Sequence, residues 1–225
     1  MKRFPDTSAA GVRSRPTHNG RSRPVTGERV VFLEGVGDPN APRLTFDFYL
    51  RPGGGVLVPH QHLRLTETLH VRSGALLAGP PGQERLVGPG ESITFTPGQG
   101  HVLKNAGEGE LHAFTEFTPA GTAESFLRNY YGLCRDGFAD SNGELPLPAL
   151  AMLIPAHDNW RADIPLIVQR ALFFLLRPVA WLRGFKATYS QYAAPPRSDL
   201  RLKAIVCDGC SAGVGDEQVD HPVVA

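Results

Sequence analysis

A chain of 225 residues has room for one well-cored domain with appendages rather than two full-sized domains. Its 23 basic and 22 acidic residues nearly cancel, which argues against the global positive field of a nucleic-acid binder. Three cysteines are too few for a disulfide framework and fit a reducing, cytoplasmic setting.

The charge is unevenly spread. Up to Thr26, Lys2, Arg3, Arg13, Arg15, Arg21 and Arg23 face the single acid Asp6, a local charge of +5 that leaves −4 for the remainder. Ser, Pro, Gly and Thr fill the gaps, so residues 1–27 read as a disordered basic arm. An organelle transit peptide shares this Arg-rich, acid-poor composition. A secretory signal does not, because no apolar core follows the charges.

From Glu28 to about residue 120, short β-rich runs alternate with Gly and Pro: "RVVFLEG", "RLTFDFYL", "GVLVPH", "ETLHVRSG", "ESITFTPG", "HVLKNAG" and "LHAFTEFTP". Such spacing predicts an all-β sandwich or barrel, and the short connections predict antiparallel pairing. After Pro119 the period changes. "GTAESFLRNYYGL" sets Phe126, Leu127, Tyr130 and Tyr131 at helical spacing behind Thr122 as N-cap. "LPLPALAMLIPA" predicts one short helix, and residues 164–183 a third, opened by Asp163 and Pro165 and ended near Gly184. The C-terminal helical region is thus expected over 121–205, with a flexible polar tail over 206–225.

The stretch from Gly54 to Gly74, "GGVLVPHQHLRLTETLHVRSG", carries the chemistry. Side chains alternate faces along a strand, so His60 and His62 point the same way and His70, three places after Glu67, points away from it. With a bend in "LRLT", Glu67 lies on the neighbouring strand and faces the same interior. His101 follows glycines that allow a tight turn. Three imidazoles and a carboxylate suit divalent Fe, Mn, Co, Ni, Cu or Zn. With an octahedral ion, four protein donors leave two positions open. His112 and Glu116 share parity on "LHAFTEF", either as groups that orient a ligand or as ordinary strand residues.

These residues resemble the cupin superfamily. Its motif G-x5-H-x-H-x4-E-x6-G is met by Gly54, His60, His62, Glu67 and Gly74, and its motif G-x5-P-x-G-x2-H-x3-N by Gly90, Gly98, His101 and Asn105. The departure is Thr96 in place of proline, a matter of turn geometry and not of ligands. The resemblance covers roughly Val30 to Thr118. It implies a mainly β protein, a double-stranded β-helix (jelly-roll) barrel over residues 28–120 followed by C-terminal helices, with one divalent metal held by His60, His62, Glu67 and His101. It also implies a homodimer. "FTEFTPAGTAESF" is similar to the exit segment of single-domain cupins related to quercetin dioxygenases.

The expected function is therefore a metal-dependent oxidoreductase of the dioxygenase type, acting on a small enolic, phenolic or polyketide-like metabolite. Iron is the expected metal, with manganese, nickel or zinc as the other candidates. Glu67 would both ligate and take the substrate's hydroxyl proton. Phe46, Phe48, Leu57 and Phe95 are candidates for the cavity wall. A metal-dependent isomerase, cyclase or decarboxylase is the alternative, and a non-catalytic small-molecule-binding protein the second. Cys207 and Cys210 make a C-x2-C whose only other thiol is Cys134, so two incidental thiols are expected rather than a zinc ribbon. Arg170 and Arg177 fall on one face of the 164–183 helix. They argue against membrane spanning and for an amphipathic helix packed on the barrel or a partner, or lying in a membrane interface.

Overall fold

The computed structural model describes residues 27–194. The expectations for the basic arm up to Thr26, for the tail from 206 and for the Cys207/Cys210 pair fall outside the described residues.

Among the described residues nine strands precede the first helix: β1 (Glu28–Glu34), β2 (Leu44–Leu50), β3 (Gly55–Gln61), β4 (Thr66–Ser73), β5 (Leu76–Gly79), β6 (Arg85–Val87), β7 (Ser92–Phe95), β8 (His101–Asn105) and β9 (Leu111–Thr118). They pair antiparallel in two sheets, ordered β1-β2-β9-β4-β7 and β3-β8-β5-β6, and a tenth strand from the C-terminal region extends the second sheet at β3. This is the antiparallel all-β barrel that the alternating runs predict, in the jelly-roll form that the cupin resemblance implies. Along β9, Leu111, Ala113, Thr115 and Phe117 are buried and the residues between them are not. Phe46 of β2 meets Phe117 edge-on at 5.1 Å, so aromatic pairs across one sheet build the core floor.

The β3–β4 connection departs from expectation. Glu67 is not on a strand hydrogen-bonded to β3; the chain crosses between the two sheets here, and Glu67 enters the interior from the facing sheet. The cross-sheet arrangement lets the carboxylate meet the histidines head-on.

Beyond the barrel come α1 (Ala123–Arg135), α2 (Leu147–His157), β10 (Trp160–Arg161), α3 (Leu166–Leu182) and a 3₁₀ turn at Ser190–Tyr192. Leu133, Leu145, Leu153, Phe185 and Tyr192 form a separate apolar cluster that binds these helices to one another. Tyr131 of α1 ties them back to the barrel by donating its hydroxyl to Glu28 at 2.6 Å. Thr122 occupies the N-cap of α1 without a side-chain capping bond. Asp163 does not open α3, because both its carboxylate oxygens hold the Arg161 guanidinium, at 2.9 and 2.6 Å, and Pro165 takes the cap position.

The region is not purely helical. β10 pairs with β3 in the register Trp160↔Gln61 and Arg161↔His60. Buried Gln169 of α3 fixes this strand: its amide oxygen accepts from Arg161 N at 3.1 Å, and its amide nitrogen donates to Arg161 O at 2.9 Å and Ile164 O at 2.7 Å. Buried polar side chains persist when every such group is paired. Among the described residues no helix is long and apolar enough to cross a membrane.

Candidate metal centre

Local pairing brings the donors together. His60 near the end of β3 stands directly opposite His101 at the start of β8, which sets their rings 4.2 Å apart. His62 follows just past β3, with its ring on the same side. Glu67 points in from β4, its Oε2 lying 3.0 Å from His101 Nε2 and 3.4 Å from His62 Nε2. One donor atom from each of His60, His62, Glu67 and His101 lies within 4.8 Å of the others, a group that could hold a metal ion.

Each imidazole is turned by a backbone carbonyl. Nδ1 of His60 lies 3.3 Å from Val58 O, that of His62 3.2 Å from Asp158 O, and that of His101 3.0 Å from Gln99 O. Fixing Nδ1 in this way commits Nε2 to the centre, the arrangement that metal-ligating histidines use. Nε2 of His62 is buried and makes no hydrogen bond. Its 3.4 Å approach to Glu67 Oε2 falls short of a good hydrogen bond, and a metal ion at the centre is the partner that this donor set fits.

The protonation states are set by burial against mutual attraction. Burial, joined by repulsion from His101 and His62, pushes His60 down to about 3, so it is a neutral donor at ordinary pH. Burial would lower His101, but Glu67's charge and hydrogen bond outweigh it and raise it. Burial would likewise raise Glu67, yet His101, seconded by His62, holds its carboxyl well below the usual carboxylate range. Nδ1 of His101 donates to Gln99 O, so the proton a metal would displace is the one on Nε2 that faces Glu67 Oε2.

The other motif residues have structural reasons. Gly98, at φ +81°, lets the chain turn so that its N–H reaches His62 O at 2.6 Å. Thr96, standing where the cupin pattern has proline, retains an N–H and donates it to Gln99 Oε1 at 3.1 Å. The same Gln99 supplies the carbonyl that orients His101. Asn105 is buried, donates to Leu50 O and Gly109 O at 2.8 Å each, and accepts from Gly107 N at 2.9 Å, closing the turn after β8.

The centre opens on a cavity of about 530 Å³ between the barrel and the helices. Phe46, Phe48 and Leu57 line it as the sequence suggests, joined by Phe117, Tyr130 and Trp160. Phe95 does not. It stacks on His101, centroids 4.0 Å apart and planes within 4°, and so walls the ligand rather than the cavity. His112 and Glu116 are also displaced from the role considered for them. Both sit on the outer face of β9, where His112 bonds Asp47 at 2.8 Å and stacks on Tyr49, and Glu116 pairs with Arg43 at 3.4 Å. The inward parity belongs to Thr115 and Phe117. His70 is exposed on the outer face of β4.

Three residues of the site carry no motif signal. Thr115 lines the cavity with a buried hydroxyl that has no hydrogen-bond partner, though threonine in a strand reads as an ordinary β-former. Asp158, at φ +55°, ends α2 and gives its backbone oxygen to His62 while its carboxylate accepts from Leu63 N at 2.9 Å and Trp160 Nε1 at 3.0 Å. His157 also lines the cavity, its Nδ1 2.9 Å from Leu153 O and its Nε2 2.9 Å from Ser125 Oγ.

Those partners suit neutral His157, and burial pushes its pKa below the ordinary 6.5. The unfolded chain then binds the proton more readily than the folded one. The stabilisation is complete above about pH 6.5 and is lost as pH falls through the lower folded value. Thermal midpoints of metal-free protein should decline between pH 7 and 5, less steeply in His157→Gln; identical slopes would remove His157 from this account.

An antiparallel jelly roll with three histidines and a glutamate converging on its interior is a barrel whose donor group could hold a metal ion. Residues 46–116 match the family model Cupin_2, described as a cupin domain, and this part of the chain is a cupin domain. No curated protein matches the chain. Among solved structures, the chain is similar to KdgF from Halomonas sp., with 20% identity over 41% of this chain and 79% of that one, TM-score 0.36. A sugar phosphate isomerase of the cupin superfamily from Silicibacter pomeroyi shares 22% identity over 47% and 68% of the two chains, TM-score 0.39. The polyketide cyclase RemF from Streptomyces resistomycificus shares 20% over 44% and 70%, TM-score 0.37.

Proposed function

We propose that the protein is a metal-dependent enzyme of the dioxygenase type, acting on a small enolic or phenolic, polyketide-like molecule. The observation that carries this reading is the four-donor group opening on a cavity whose walls include Phe46, Phe48, Phe117, Tyr130 and Trp160. Such walls take up flat, weakly polar molecules. A phosphorylated sugar suits them poorly. Arg161 is the one Lys or Arg among the described lining residues, and Asp163 already grips its guanidinium with both oxygens.

His60, His62, Glu67 and His101 would hold the ion: iron first, or manganese, nickel or zinc. When bound, it supplies Lewis acidity and, if iron, manganese or nickel, the redox partner that dioxygen chemistry requires. The chain's own groups do the rest. The apolar walls exclude water and orient the substrate ring. Thr115 Oγ1 has an unused hydrogen-bonding capacity with which to fix a substrate oxygen. Glu67, a carboxylate at ordinary pH, accepts the hydroxyl proton of the enol or phenol. A cytoplasmic location, from the cysteine count, and pairing of two copies through a sheet edge such as β6 or β7, each paired on one side only among the described residues, belong to the same proposal; sedimentation equilibrium checks the pairing.

The test is an oxygen electrode. Protein purified without chelator, with its metal content measured, should consume dioxygen with members of a flavonol and polyketide panel. Chelation should stop the uptake and restoring the metal should recover it. Substrate conversion without oxygen uptake would replace the oxidative step by isomerisation or cyclisation. Binding without conversion would leave a binding protein.

A further inference from the structure

We infer that the outward face of α3 docks the protein on an anionic lipid surface. The helix packs on the rest of the molecule through Gln169, Phe173 and Ala180, which are buried. Its opposite side is more apolar than the side it buries. Ile167, Phe174 and Trp181 recur every seven residues, two helical turns, and stand 74, 71 and 73% exposed. Leu175 and Leu182 run beside them at 71 and 72%. Five large apolar side chains in one exposed stripe are more than an isolated surface residue or two, and such patches mark interaction sites.

Charge selects the partner. Arg170 and Arg177, also seven apart, follow one edge of the stripe, and both are exposed. From Ile164 to Ala194 the chain has four basic residues, Arg170, Arg177, Arg183 and Lys186, and no Asp or Glu. A second copy placed against this face would meet arginines with an equally acid-free segment. The residues up to Thr26, at +5, repel it in the same way. Lipid phosphates and carboxylates satisfy the arginines while acyl chains take Ile167, Phe174 and Trp181, the composition of helices that lie in the membrane interface. Two basic segments in one chain strengthen the same attraction.

Vesicles of phosphatidylcholine alone, and with phosphatidylserine added, test this with the full chain. The protein should co-sediment with the anionic vesicles, weakening by roughly fivefold for each of Arg170→Gln and Arg177→Gln and more at high salt. Tryptophan emission should shift to the blue on binding, since Trp181 is exposed whereas Trp160 is buried. Trp181→Phe should remove the shift while preserving binding. Phe174→Ser with Ile167→Ser, both at exposed positions, should abolish binding and leave the thermal midpoint unchanged. Equal binding to neutral and anionic vesicles would overturn the proposal. So would absence of vesicle binding, whether the protein then sediments as a dimer dissociated by Phe174→Ser, assigning the face to a second copy, or as a monomer.

Discussion

Glu67→Gln is expected to lower turnover per bound metal by about a hundredfold to ten-thousandfold, the usual share of a positioned general base. The change is nearly isosteric. An amide oxygen can still lie at 3 Å from His101, so metal occupancy should fall less than in His60→Ala, His62→Ala or His101→Ala, each of which removes a nitrogen from a set of three. What the amide cannot do is accept the substrate's proton. Activity must therefore be normalised to metal content measured on the same sample. A Glu67→Gln protein with parental turnover per metal would restrict Glu67 to holding the ion. Circular dichroism of the four variants should show intact sheet, because the barrel interior of Leu44, Leu69, Leu76 and Leu111 does not involve the centre. Loss of the barrel on metal removal would make the ion structural and would count against the enzyme reading.

Much of the site was legible because strand periodicity and motif spacing are local. His60 and His62 share a side by alternation alone, and their distance to Glu67 leaves room for a single bend. The sequence could not say that this bend crosses between sheets, since both sheets carry the same alternating pattern. Parity also left His112 and Glu116 open. Which of two parities faces inward is decided by the pairing of β9 with β2 and β4, and there the apolar set Leu111, Ala113 and Phe117 claims the interior. Phe95 looked like cavity wall because it is apolar and inward. Only the register Glu67↔Phe95 reveals that it stands beside the ligands, where it stacks on His101.

The C-terminal region was the less legible part for the same physical reason. β10 is two residues long and exists only because β3 is there to pair with it. In α3 the arginine spacing identifies one face correctly, but leucine, valine and phenylalanine occupy nearly every other direction. Periodicity cannot choose which apolar side is buried when both are apolar. Contact with α2 makes the choice, leaving Ile167, Phe174 and Trp181 outside.

That region also bears on the candidate metal centre, through Asp158. Its carboxylate ties Leu63, the residue after His62, to Trp160 of β10, while its carbonyl orients the His62 ring. Asp158→Gly separates these roles, because glycine adopts the φ +55° backbone without strain and keeps the carbonyl. Two half-buried N–H groups then lose a charged acceptor, which should cost about 2–4 kcal/mol of stability in urea denaturation. With its strap loosened, His62 samples orientations that miss the centre, and metal affinity should fall by about 10–100-fold, as for other groups that orient a ligand. Asp158→Asn tolerates the same backbone and retains one acceptor oxygen, so it should fall between the two. Affinity is to be read well below each variant's own melting temperature, so that lost folding does not pass for lost ligation. Parental affinity in a folded but destabilised Asp158→Gly protein would mean that the barrel orients His62 unaided and that the helices serve only the cavity.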